Sequence, residues 1–210
     1  MFLLTNLESD MTSKLQLTFA ENAPQGDVIT VCLIGQDNQI IPELDQATAA
    51  YFIDVMATLK FSGSVGKTMV VYYNRASYLL IGIGDIIEPG LLAENIGGTL
   101  FSALAETGAK RGWLINHNLG DKVLADICFG AQLASYKFDK YFTDKKSDED
   151  LVQLFVAGKN LKEDSAMISD RSALAKGIFL ARDLVFEPAN KLFPEAFANR
   201  CAALTELGLD

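Results

Sequence analysis

Histidine occurs once in this 210-residue chain, at His117, and cysteine three times, at Cys32, Cys128 and Cys201. A single imidazole cannot build a histidine-rich metal site, so His117 reads as structural. The cysteines are odd in number, far apart and without CxxC spacing. That excludes a disulfide framework and a thiolate zinc site, and leaves buried, reduced thiols as the expectation. Long apolar runs are missing too: none approaches the roughly 20 residues of a membrane span. The opening MFLLTNLESD has neither the basic residues nor the apolar length of a signal peptide, so a cytoplasmic location is expected. Basic residues are the minority, 18 Lys and Arg against 27 Asp and Glu. The resulting formal charge of −9 repels phosphate backbones, and no local basic strip offsets it. Neither nucleic acid nor membrane is expected as a partner.

Apolar residues make up 50% of the chain, ample for the buried core of one full domain plus part of another. Leu15, Leu17 and Phe19 alternate as a half-buried strand, and Val28 to Ile34 form a continuous apolar run that suits a strand covered on both faces. Leu44, Ala47, Tyr51, Val55 and Leu59 recur at helical spacing, with Pro42 placed in the first turn. Met69 to Tyr73 and Tyr78 to Ile83 form a hairpin around the polar stretch Asn74 to Ser77. A helix over Pro89 to Thr107 presents Leu92, Ile96, Leu100, Ala103 and Leu104 and stops at Gly108. A strand at Trp113 to Ile115, a helix over Asp121 to Leu133 and a strand at Leu151 to Ala157 follow, with Lys145 to Asp150 as a solvated turn. The fold class is therefore α/β, three layers of helix, sheet and helix around a mixed, mostly parallel sheet.

A long helix runs from near Glu163 to just before Pro188, with Met167, Leu174, Ile178, Ala181 and Val185 on its apolar face. Pro194 then starts a further helix striped by Phe197, Cys201, Leu204 and Leu207 before Gly208. That stripe needs a partner surface, and without one it would stay an exposed apolar face. Residues 1–160 are thus assigned to an N-terminal α/β domain, and 161–210 to a linker helix and the first elements of a second domain that is started but not completed.

Motifs with chemistry are few. Gly63, Ser64, Val65, Gly66, Lys67 and Thr68 resemble a P-loop, but the first glycine should fall at Phe61 and the segment leads into a strand, so a strand-entering turn is expected. Gly82 and Gly84 follow a strand as in a dinucleotide fingerprint, yet the third glycine position holds Ile87. Close backbone packing explains them as well. A serine or cysteine nucleophile would depend on His117 alone. The carboxylate pairs Asp139 with Asp144 and Asp183 with Glu187 have spacing common on solvated helix faces. No catalytic, cofactor-binding or metal residue is assigned.

The stretch Ala181 to Asn190, ARDLVFEPAN, followed by Lys191, Leu192, Phe193, Pro194, Glu195, Ala196 and Phe197, resembles the start of the catalytic domain in the leucyl (cytosol) aminopeptidases, usually written ARDLVNEPAN and then xLTPExF. Upstream, Gly130, Leu133, Tyr136, Phe138, Asp139 and Tyr141 resemble that family's G-x-x-L-x-x-Y-x-F-D-x-Y segment, and Ile96 to Leu100 its glycine-paired helix. Two positions depart: Phe186 stands where the family commonly has asparagine, and Phe193 where it has a helix-capping threonine. The second should cost about 1 kcal/mol of capping.

The resemblance implies a macro-like N-terminal domain joined to a peptidase domain that uses two divalent metal ions, Mn or Zn, to cleave N-terminal residues from peptides. The family's metal and catalytic motifs, of the type VGKGxxFDSGG and NTDAEGR, do not occur here. The first expectation is therefore an assembly and substrate-access portion of a hexameric aminopeptidase, itself inactive and metal-free. A nucleotide-binding module, holding ADP-ribose at Gly82, Gly84 and Asp85, is the alternative. A DNA-binding accessory domain stands third.

Overall fold

The computed structural model describes residues 13–36, 44–85, 88–115, 119–142, 152–157 and 161–208. Pro42, Ile87, His117, Asp144 and the charge run Lys145 to Asp150 lie outside them. A six-stranded sheet is built from β1 (Leu15–Ala20), β2 (Ile29–Gly35), β3 (Thr68–Tyr73), β4 (Ala76–Gly84), β5 (Arg111–Leu114) and β6 (Val152–Ala157). Its spatial order is β1-β6-β5-β2-β4-β3. Only β3 runs antiparallel, in its pairing with β4; the other neighbours are parallel. The expected mixed, mostly parallel sheet is what forms. β2 lies between β5 and β4 and is buried over most of its length, which is why its sequence runs apolar without alternation.

The hairpin turn is tighter than the expected Asn74 to Ser77. Asn74 and Arg75 both take positive φ, 48° and 64°, so two residues suffice, and Ala76 and Ser77 already belong to β4. That left-handed pair matches the twist of the strands it joins.

Helices cover both faces. α1 (Gln46–Thr58) packs on one side with Cys32, Ile34, Leu80 and Trp113 of the sheet. α2 (Leu91–Glu106) and α3 (Asp121–Ala134) cover the other, against Val31, Leu33, Leu79, Ile81 and Leu154. α1 begins at Gln46, four residues after the proline taken as its start, because Asp45 caps it. The Asp45 carboxylate accepts the Ala47 and Thr48 amides at 3.0 Å each and the Thr48 hydroxyl at 2.5 Å. Its buried residues are Thr48, Phe52 and Met56. The expected stripe through Ala47 and Leu59 is therefore off by one position, and Leu59 is exposed. Asp45→Ala should lower stability, read as a fall in the thermal midpoint.

α4 (Leu161–Phe186) is no free spacer: Ala175 and Phe179 are buried against Phe129 of α3, with Leu133, Tyr136 and Ile178 around them. The expected face is again rotated, since Leu174 is half exposed and Val185 is 82% exposed. α5 (Pro194–Ala203) starts at Pro194, with Phe193 in the capping position and no side-chain capping bond, as the loss of the family's threonine predicts. None of its residues is buried, and Phe193 and Phe197 face solvent. Among the described residues no helix is long and apolar enough to cross a membrane.

Candidate functional site

In a parallel sheet, ligands gather beyond the carboxyl ends of the strands. At the end of β4 the glycines are already committed. The Gly82 amide donates to the Lys67 carbonyl at 2.7 Å, and the Gly84 amide to the Gly63 carbonyl at 2.9 Å. A Cβ on Gly82 would sit 2.1 Å from the Ser64 carbonyl oxygen. The P-loop-like segment is thus the turn into β3, lying so close over β4 that only glycine fits. Neither glycine amide is left to cradle a phosphate, and exposed Asp85 adds negative charge beside them. The observation that suggested a nucleotide site is accounted for by backbone packing.

The two longest family-like motifs, far apart in sequence, meet along one seam. The segment that follows α3, Ser135 to Phe142, receives the end of α4. The Tyr136 hydroxyl donates to Asp183 at 2.7 Å, and the Arg182 guanidinium lies over the Tyr136 ring, 5.3 Å from its centre, while donating to the Leu133 carbonyl at 3.0 Å. Phe186 stacks on Phe138 with ring centres 5.5 Å apart. The aromatic that replaces the family's asparagine therefore has a partner in the other motif. Lys14 pairs with Asp139 at 3.1 Å and ties this segment to the start of β1.

Glu187 occupies the centre of the seam. Its carboxylate is 1% exposed, and one oxygen, Oε1, accepts from Lys140 Nζ at 3.0 Å and from Arg200 at 3.1 Å. The Tyr141 hydroxyl donates to the other oxygen. Burial alone would raise this carboxyl, but the bonds from Tyr141, Lys140 and Arg200 outweigh it and bring it from the ordinary 4.5 down to about 2. The Tyr141 hydroxyl moves the opposite way, upward, chiefly because it donates to that carboxylate. The reading of Asp183 and Glu187 as a solvated pair is thereby corrected: each accepts from a different tyrosine. Spacing of four residues could not show this, because the partners come from another part of the chain. Since the folded carboxyl lies below its unfolded value, its contribution is complete above about pH 4.5 and lost as pH falls toward 2. On the order of 1–2 kcal/mol should disappear across that window, given that Lys140 and Arg200 reach solvent, and acid titration of Glu187→Gln should lack this component.

A second buried carboxylate was missed by sequence reasoning. Asp126 of α3 is held by Arg171 of α4 at 2.5 Å and accepts the Gly90 amide at 2.7 Å. An aspartate inside an otherwise apolar helix face was the available signal. The cysteines divide: Cys32 and Cys128 are buried, with thiols pushed up to about 12 by desolvation, whereas Cys201 is exposed, contrary to expectation. Inert thiols follow for the first two. Among the described residues no group of three His, Cys, Asp or Glu side chains converges to hold a metal ion.

Residues 30–145 match the family described as "Cytosol aminopeptidase family, N-terminal domain". A probable cytosol aminopeptidase of Brucella anthropi is 29% identical over 218 residues, covering 95% of this chain and 43% of the relative. Among solved structures, a mutant of tomato leucine aminopeptidase superposes with a TM-score of 0.76 at 18% identity, covering 92% of this chain and 42% of that one. The bottromycin maturation enzyme BotP in complex with Mn superposes with a TM-score of 0.60 at 23% identity, covering 88% and 37%. The chain spans less than half the length of the curated relatives it matches.

Proposed function

Because the chain belongs to the cytosol aminopeptidase family through its N-terminal domain, we propose that it is the assembly and access portion of a two-metal leucyl aminopeptidase acting in the cytoplasm. The observation that carries this reading is the seam. A packed α/β body receives the ARDLVFEPAN segment through Tyr136, Phe138 and Tyr141, and presents α5 with Phe193 and Phe197 outward. Such a body serves as a base that orients whatever follows α5. It does not cleave peptides itself, and the ligands for Mn or Zn belong to the part of the relatives that this chain does not span. In the whole enzyme the substrates are peptides with a free amino terminus and the assembly is a hexamer. Residues 1–160 are the N-terminal domain, and 161–210 carry the linker helix into the catalytic one.

Hydrolysis of a leucyl chromogenic amide by the 210-residue chain with added manganese tests this. The expected rate is the buffer rate. Turnover approaching that of a full-length relative would overturn the proposal.

A further inference from the structure

Glu187 differs from an ordinary buried ion pair in what its Oε1 atom joins. Lys140 approaches it from the α/β body and Arg200 from α5, so two cations of different elements share a single anionic atom. Tyr141, also from the body, fixes Oε2. The body-side donors are themselves anchored. Tyr136 bonds Asp183 one turn before Glu187, and Asp139, next to Lys140, is paired with Lys14.

On the other side, the described residues give α5 few further attachments. It buries no residue, and its aromatic side chains Phe193 and Phe197 point to solvent. The intervening turn is closed locally, with the Lys191 and Leu192 amides donating to the Pro188 carbonyl at 2.8 and 3.0 Å. Those bonds shape the turn without attaching it to the body. Among the described residues, apolar burial, which seats α1 to α4, is absent for α5.

We propose that Glu187 is a clamp that fixes the direction in which the chain leaves the α/β body, its charge joining Lys140 on the body to Arg200 on α5. With the carboxylate in place, the two cations neutralise one buried charge. With a neutral side chain there, they face each other across a single uncharged oxygen and repel. Loss of the negative charge at 187 therefore releases α5 while leaving the sheet intact. The inference stands apart from the peptidase reading, because it concerns helix protection and not turnover.

Hydrogen exchange measured by mass spectrometry on the full 210-residue chain tests it. In Glu187→Gln, amides of α5 should exchange at least ten-fold faster than in the unaltered chain, while those of β2 and β4 keep their rates. Arg200→Met, at a partly exposed position that spares the core, should release α5 in the same way, and it carries the test if the Gln variant fails to fold. Glu187→Asp, which keeps the charge, should restore part of the protection. Unchanged exchange in α5 in both the Gln and Met variants would overturn the clamp. So would faster exchange that rises equally in α5, β2 and β4, since that would mean the body as a whole had been loosened.

Discussion

Placing a single methyl group on Gly130 should destabilise the protein by about 3 kcal/mol or more, because the atom has nowhere to go. A Cβ there would lie 1.9 Å from the Glu94 carbonyl oxygen, and one on Gly97 would lie 1.9 Å from the Ile127 carbonyl oxygen. These two glycines are the points at which α2 and α3 touch backbone to backbone. Flexible side chains could move aside, but helix carbonyls cannot move without displacing the helix. The whole pair would have to separate, opening the core beneath Ile96, Leu100, Leu124 and Ile127. For a domain of this size the thermal midpoint should fall by roughly 10 °C. Gly177→Ala supplies the contrast, since a Cβ at Gly177 meets nothing within 4 Å. That change should be neutral or raise stability by up to about 1 kcal/mol through helix propensity. Urea denaturation of the two variants separates the effects, and equal stability for Gly130→Ala and Gly177→Ala would refute the close crossing.

Asp126→Ala should cost about 2–3 kcal/mol, the second largest effect expected. The side chain is 2% exposed and serves three elements at once. From α3 it accepts the Gly90 amide at the start of α2 and draws in Arg171 of α4. The Oδ1 atom has that guanidinium at 2.5 Å but no aligned hydrogen bond, so its stabilisation is chiefly ionic. Removing the carboxylate strands an amide at a helix start, although Arg171, which lies over the Phe129 ring, is 40% exposed and can turn to water. That escape keeps the cost below the roughly 3–5 kcal/mol of a fully buried broken pair. Arg171→Met takes the cation from a carboxylate that cannot reach water, and should cost a comparable amount. In a double-mutant cycle the two changes should couple by on the order of 1–2 kcal/mol. Additive losses, or an Asp126→Asn variant as stable as the parent, would show that the ion pair contributes nothing.

Most elements were legible from periodicity because burial in an α/β layer imposes it. β2 is apolar apart from Thr30 because both faces are covered, and α2 shows Ile96, Leu100, Ala103 and Leu104 because one stripe meets the sheet. Where the expected faces were wrong, the error was one of rotation. In α1 the true stripe is Thr48, Phe52 and Met56, and the aromatic and sulfur side chains carry it while the weaker Ala47 and Leu59 look outward. In α4 the apolar residues Leu174 and Val185 point to solvent, and among the residues whose side chains are described Ala175 and Phe179 are the buried ones. Helical spacing counts apolar residues but cannot tell which of two adjacent stripes has found a partner. The seam was half visible. Both motifs that form it could be recognised, yet nothing in either says that Tyr136 would meet Asp183, or Tyr141 Glu187, since those contacts are set by how α4 lies along α3. Asp45 as the cap of α1 was missed because Pro42 offered a competing start; an aspartate three residues before a threonine was the available cue.

The pairing of β1 with β6 carries a consequence for synthesis. Leu15 aligns with Val152 and Ala20 with Ala157, and among the described residues β1 has no other strand beside it. The earliest of the six strands therefore leaves the ribosome well before its partner, the sixth, which emerges on the order of ten seconds later at ordinary elongation rates. The central strands can pair in the meantime, since β2 and β4 are much closer along the chain. The nascent polypeptide thus completes its sheet at the edge, last, by capturing the earliest of its six strands.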